Sequence, residues 1–219
     1  MGVPCVVLLD KIIKMYMDKE INNNGYDYVD LGLPSDTLWA TCNIGANKPS
    51  ESGLYFQWGD TAGYTKDKIG IDKEFTWDDY KFSINGSNTD FSKYITEGEI
   101  LALENDAAHI NMGGDWHMPS PKQIGELLDN TIAIFETLDG VSGMKFMSKN
   151  APSKFIFIPA AGYAWDSFVG NSRRYGYVWA SMLSVDYAGS GQILEFGSIG
   201  TNITYSNRFD GLTVRGVIG

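Results

Sequence analysis

Nucleophilic catalysis needs a nucleophile beside a positioned base, and this chain of 219 residues has only His109 and His117 to serve as imidazole bases. No Gly-x-Ser-x-Gly string is present to hold a serine on a sharp strand-to-helix turn, and no Gly-x-x-x-x-Gly-Lys-Ser/Thr string to cradle a phosphate. Asp78, Asp79, Glu104, Asp106 and Asp115 are oxygen donors of the kind Ca²⁺ takes, but on a chain with a formal charge of -10 such residues are ordinarily solvated surface. Cys5 and Cys42 lie among apolar or small residues and read as free thiols rather than a bridge. The residue types therefore point away from an enzyme and imply no cofactor. A structural calcium ion is the one metal they would suit.

Recognition chemistry is better supplied. The last third, 154–219, alternates two kinds of segment. Apolar runs such as Phe155-Ile156-Phe157-Ile158 and Leu212-Thr213-Val214 suit strands that bury alternate residues. Between them lie stretches rich in Asn, Ser, Gly, Tyr, Asp and Arg, a composition suited to adaptable surface contact. The pattern is that of a fixed frame carrying a contact surface. A nucleic-acid partner is not expected, because the charge is negative and the longest basic run is the pair Arg173-Arg174. The start of the chain has no basic leader or small-x-small cleavage site, and no stretch is long and apolar enough to span a bilayer, so neither a signal peptide nor membrane insertion is expected.

Several elements must position that surface. Apolar residues at Val6, Leu9, Ile12, Ile13, Tyr16 and Met17 recur at helical spacing, which predicts an amphipathic helix within 1–22, ended by Asn22-Asn23-Asn24-Gly25. Alternating runs from Tyr26 to Pro34 and from Thr37 to Ala46, around a Pro34-Ser35-Asp36 turn, predict a hairpin. Residues 62–98 are too aromatic for a linker and read as an anchored excursion. Ser120-Pro121-Lys122-Gln123 carries an N-cap, a first-turn proline and a capping-box glutamine, so a helix should start there, with Ile124, Leu127, Leu128 and Ile132 as its apolar stripe. Short strands follow over 140–148, 155–162, 177–181, 192–196 and 212–218, and Trp116, Phe157 and Trp179 are core candidates. Strands and a helix followed by antiparallel strands without helical alternation argue for an α+β class, in a single domain of 1–219.

Two strings add a family likeness. Val29-Asp30-Leu31-Gly32-Leu33-Pro34-Ser35 with Thr37-Leu38-Trp39-Ala40-Thr41-Cys42-Asn43-Ile44-Gly45-Ala46, continued by Gly53-Leu54-Tyr55-Phe56-Gln57-Trp58-Gly59-Asp60-Thr61, resembles the Fibrobacter/Bacteroides-type major paralogous domain of gut bacteria and their phages. Gly113-Gly114-Asp115-Trp116-His117-Met118-Pro119-Ser120 resembles that family's Gly-Gly-x-Trp-Arg-Met-Pro-Thr pattern, with His117 in place of Arg and Ser120 in place of Thr. The resemblance implies a C-type lectin-like fold of the formylglycine-generating-enzyme-like subtype, with short antiparallel strands, two principal helices and long loops. Formylglycine-generating activity does not carry over, since that chemistry uses paired cysteines late in the chain. The Glu-Pro-Asn and Gln-Pro-Asp tripeptides of calcium-dependent sugar binders are also missing.

Residues 154–219 resemble the variable region of target proteins of diversity-generating retroelements. The frame matches are Ala161-Gly162-Tyr163, Gly176 to Ser181, Leu194-Glu195-Phe196, Asn207-Arg208 and Gly211 to Val217, with Gly216 where Pro is usual. This likeness implies that Trp165, Asp166, Phe168, Tyr175, Asp186, Tyr187, Asn202, Thr204, Tyr205, Phe209 and Asp210 are displayed to a ligand. It further implies a receptor-binding protein on a phage virion or bacterial cell surface, with a protein or glycan on another cell as partner. The alternative expectation is a polysaccharide-binding or structural module that is not diversified.

Overall fold

The computed structural model describes residues 20–219, and side chains from Asn24 onward. Most of the helix expected over 1–22 lies outside these residues. Where the two overlap, the chain is extended: Glu20–Asn23 is strand β1, paired antiparallel with β2, Tyr26–Asp30. The reason is the turn between them. Asn24 and Gly25 both take positive φ (54° and 90°), the two-residue hairpin geometry that an Asn-Gly pair favours, so this string reverses the chain instead of ending a helix.

Strand β3, Leu38–Ala40, continues the sheet as the Pro34-Ser35-Asp36 turn anticipates, with Val29 opposite Trp39 and the Asp36 amide donating to Leu33 O. The C-terminal strand β12, Val217–Ile218, pairs with the other edge of β3, so this sheet joins the first described strands to the last. The rest of 212–218 is not one strand. Leu212 bridges Phe56, Thr213 bridges Val178, and Val217 also bridges His117, so the segment threads between neighbours and is buried along its length.

Of the two described α-helices, α1 spans Ala107–Met112 and α2 spans Pro121–Asn130. At α2 the capping box forms in full: Ser120 Oγ accepts from Gln123 N at 3.2 Å, and Gln123 Oε1 accepts from Ser120 N at 2.9 Å. Ile124 and Leu127 are fully buried beneath the helix. Ile132 does not extend that stripe. The helix stops at Asn130, and Ile132, 45% exposed, belongs to β4, Thr131–Leu138. Strand β4 pairs with β5, Val141–Ser148, through the positive-φ pair Asp139-Gly140, and β5 pairs with β6, Phe155–Pro159.

The hairpin β7–β8, Tyr163–Trp165 with Phe168–Gly170, stands apart as a two-stranded unit. The last sheet runs β9, Tyr175–Leu183, β10, Ser190–Gly197, and β11, Gly200–Asn207, with β10 central. The molecule is thus mostly antiparallel strands in small sheets with two described helices, the α+β class expected. Among the described residues no helix is long and apolar enough to cross a membrane.

One apolar core gathers Trp58, Trp116 and Trp179 with Tyr80, Phe82 and Phe91 of the 62–98 excursion, which is therefore anchored by its aromatic rings. A second joins Trp39, the buried face of α2, Phe146, Leu194 and Phe196. Two arginines are buried with them. Arg208 donates to Tyr80 Oη (2.8 Å), Tyr94 O (2.9 Å), Lys93 O (3.0 Å) and Ala188 O (3.1 Å), and its guanidinium lies 4.2 Å from the Phe91 ring centre. Arg215 donates to Asn43 Oδ1, Ala40 O and Phe157 O, each at 2.9 Å. Truncating Arg208 leaves the buried Tyr80 hydroxyl and Ala188 carbonyl, and the partly buried Lys93 and Tyr94 carbonyls, without this donor, a loss of about 1–3 kcal/mol for each buried group. Arg208→Ala should therefore lose at least about 3 kcal/mol in urea unfolding. A loss below about 1 kcal/mol would contradict this placement.

Candidate functional site

The β9–β10–β11 sheet turns one face into a cleft. On its central strand, Glu195 lies opposite Tyr177 of β9 and Asn202 of β11, and Ile193 lies opposite Trp179 and Thr204. Because side chains alternate along a strand, Tyr175 and Tyr177 share a face, as do Ile193 and Glu195. Gly176, between the two tyrosines, has no room for a side chain: a Cβ there would sit 2.0 Å from the Phe196 ring. That contact packs the opposite face of the sheet closely and leaves the tyrosines on the cleft side.

The cleft has a volume of about 620 Å³. Tyr163 and Trp165 of the β7–β8 hairpin form one side, Glu195 and Thr204 the sheet side, and Ser206, Asn207 and Asp210 the end where β11 turns away. Tyr163 meets Tyr177 edge to face at 5.6 Å, and Tyr175 stacks on Tyr177 at 6.2 Å, so three rings form a continuous wall. Beyond Glu195 a smaller hollow of about 230 Å³ is lined by Tyr175, Glu195 and Asn202. Burial pushes the Tyr177 phenol up from its ordinary pKa, partly offset by the Asn171 side chain, whose Nδ2 lies 3.4 Å from its hydroxyl.

The expected display residues divide into groups. Trp165, Thr204, Tyr205 and Asp210 line the cleft, and Tyr175 and Asn202 line the adjoining hollow. Asn202, Thr204 and Tyr205 sit on strand β11 rather than in a loop. Asp166 and Phe168 occupy the exposed tip of the β7–β8 hairpin, where the Phe168 ring meets Trp165 edge to face at 5.6 Å. Asp186 and Tyr187 are exposed on a separate loop, whose Tyr187 hydroxyl donates to Asn88 O.

Two expectations of display need correction. Phe209 is 7% exposed and packs on Trp77 at 4.8 Å within the first core, because the backbone that carries Arg208 inward takes its neighbour with it. Asp210 faces the cleft but is only 5% exposed, so it belongs to the cleft's depth and not to its rim. Tyr163, Asn171, Tyr177 and Glu195 were not among the expected contacts. The alternation of Tyr175 with Tyr177 and of Ile193 with Glu195 is the sequence signal that would have put them on one strand face.

The remaining chemistry-bearing residues are engaged elsewhere. His109 Nδ1 lies 3.3 Å from Trp116 O, His117 Nδ1 lies 3.1 Å from Asp115 O, and among the described residues neither ring is hydrogen-bonded to a hydroxyl or thiol. Asp106 caps α1, accepting from the His109 and Met118 amides, and burial raises its pKa. Cys42 is a half-buried free thiol, while Cys5 lies outside the described residues. Among the described residues no three His, Cys, Asp or Glu side chains converge on a common point. No family model, curated protein or solved structure matches the chain.

Asp210 gives the site a pH signature. Burial raises its carboxyl pKa to about 6, and the hydrogen bond from Ser206 Oγ at 2.6 Å only partly offsets that cost. A carboxyl whose folded pKa is raised favours folding below its unfolded pKa of about 3.9, and that contribution is lost as pH climbs through 6. Asn at this position keeps the neutral shape and removes the titration. Between pH 4 and pH 7 the wild type should therefore lose roughly 1–3 kcal/mol relative to Asp210→Asn in urea unfolding. Parallel stability profiles would contradict the assignment.

Proposed function

We propose that this chain is a non-enzymatic receptor-binding protein with a C-type lectin-like fold, and that the β9–β10–β11 cleft with its β7–β8 rim is its ligand-binding surface. In this reading it is a target protein of a diversity-generating retroelement, carried by a gut bacterium or its phage and displayed on a virion or cell surface. Its partner is a protein or glycan on another cell.

The observation that carries the reading is the separation of two populations within 154–219. The strings Ala161-Gly162, Val178-Trp179-Ala180 and Leu212 to Val217 are buried, whereas Trp165, Tyr175, Asn202, Thr204 and Tyr205 gather around one cleft and its adjoining hollow. Rings on strands and a tight hairpin present large contact areas with few torsions left to freeze, which favours affinity. The antiparallel closure of β12 onto β3 is in keeping with a compact lectin-like frame whose last strand returns to its first hairpin. Phe209 leaves the proposed contact set, and Tyr177 and Glu195 enter it.

Trp165 is 46% and Tyr205 43% exposed, so removing their rings opens no sealed cavity in the core. The double variant Trp165→Ala/Tyr205→Ala should lower binding to the cognate cell surface at least about tenfold, the loss expected of central aromatic anchors, with a melting temperature shift of a few degrees at most. Fluorescent full-length protein on a panel of gut bacterial isolates supplies the assay. Undiminished binding by a folded double variant would overturn the placement of the surface. Diversification is tested separately by sequencing the locus. It should carry a near-copy of the codons for about Gly162 to Val217, differing at adenines, beside a reverse-transcriptase gene. A locus without that copy favours an undiversified module.

A further inference from the structure

We propose that the cleft receives a cationic side chain, the guanidinium or ammonium of an Arg or Lys displayed by a partner protein. This rests on the binding function proposed above and names its ligand class. Three features of the cleft select a cation.

The first is charge. Glu195 and Asp210 both line the cleft, and among the described residues no Lys, Arg or His does. The Glu195 carboxylate makes no ion pair among the described residues. Arg173 and Arg174 are exposed on the turn beyond Asn171, outside the lining. Arg208 adjoins Asp210 in the chain, but its guanidinium is committed to Tyr80, Lys93, Tyr94 and Ala188. Two carboxylates in a partly enclosed space thus have no countercharge among the described residues that line it, so an anionic ligand would be repelled and a cationic one drawn in.

The second is the wall. Tyr163, Trp165 and Tyr177 line the same space, and aromatic faces carry the negative quadrupole that attracts ammonium and guanidinium groups. Rings flanked by carboxylates solvate a cation from several sides, so little of its hydration is lost without replacement. The third is depth. Asp210 is held away from water and accepts hydrogen bonds from Ser206 Oγ and from Asn207. An arriving cation would stabilise its ionised form, so binding and deprotonation are linked, and affinity should rise between pH 5 and pH 7. Among the described residues, the titratable ones that line the same space as Asp210 are Glu195, Tyr163, Tyr177 and Tyr205. None of these carries positive charge.

The test is an NMR titration of the full chain with N-acetyl-arginine amide and N-acetyl-lysine amide, following the Trp165 indole and Glu195 amide signals. Neutral controls are the citrulline and norleucine analogues and maltohexaose. Saturable shifts are expected with at least one cationic probe, weaker by at least about fivefold with its neutral analogue, in Glu195→Gln, and in high salt. Affinity should fall again at pH 5, and Asp210→Asn should abolish that dependence while remaining folded. Equal shifts from neutral analogues, binding of maltohexaose alone, or no cleft response to either cation would overturn the proposal. If the cationic probes fail while Trp165→Ala/Tyr205→Ala still loses cell binding, the ligand class is wrong and the surface is right. If that variant also keeps its binding, both are wrong.

Discussion

A guanidinium buried without a carboxylate must find neutral acceptors for its N–H groups, and Arg208 finds them on three separate stretches of chain. Tyr80 and the Lys93–Tyr94 carbonyls come from the long excursion, and the Ala188 carbonyl from the loop between β9 and β10. The rings of Phe91, Tyr80 and Trp58 surround the cation and contribute attraction as well as apolar contact. One side chain thus couples a segment with little regular structure of its own to the sheet that carries the cleft. Arg215 does the same on the other side, tying β3 and the Asn43 loop to β6. Both arginines sit in the C-terminal segment that threads between the sheets, so the last residues of the chain hold the earlier ones in register.

The cleft depends on this arrangement. Its sheet side is set by pairing within β9, β10 and β11, where register fixes which side chains share a face. Its other side comes from β7–β8, whose position is fixed by paired backbone bonds from Ala164 to Gly211 and from Asp166 to Phe75. Its deep end, Ser206 to Asp210, leads directly into Arg208 and Phe209, which are core. Cleft-lining residues and core-anchoring residues therefore alternate within a few positions along the chain. Substitutions at Tyr205 and at Phe209 act on different properties of the molecule although only four positions separate them.

Much of the frame was legible in the sequence because local chemistry decides it. The capped start of α2, the Pro34-Ser35-Asp36 turn and the apolar runs of β5, β6, β9 and β10 all form where pattern and turn residues indicate. The elements that local pattern conceals carry competing signals. Asn24-Gly25 and Asp139-Gly140 are hairpin dipeptides, yet each follows a stretch whose apolar spacing also fits a helix, so β1 and β4 were hidden. Strand β11 has one face toward solvent and is rich in Asn, Thr and Ser, so its composition reads as a loop. The cleft itself lies beyond local pattern. Trp165, Tyr177, Glu195 and Asp210 meet only because three strands and a hairpin are brought together by distant contacts, and the burial of Phe209 follows from the path of Arg208.

The central claim is that display and folding are carried by interleaved but separate residues of the C-terminal third. It is tested most directly by a substitution scan of 154–219 on a displayed library, sorted once for folded protein and once for cell binding. Positions lining the cleft, among them Trp165, Tyr177, Glu195 and Tyr205, should tolerate change for folding and fail for binding, while Trp179, Arg208, Phe209 and Arg215 should fail both. A scan in which the binding-only positions fall outside the cleft and its rim, or in which cleft positions fail for folding as severely as Arg208, would contradict it.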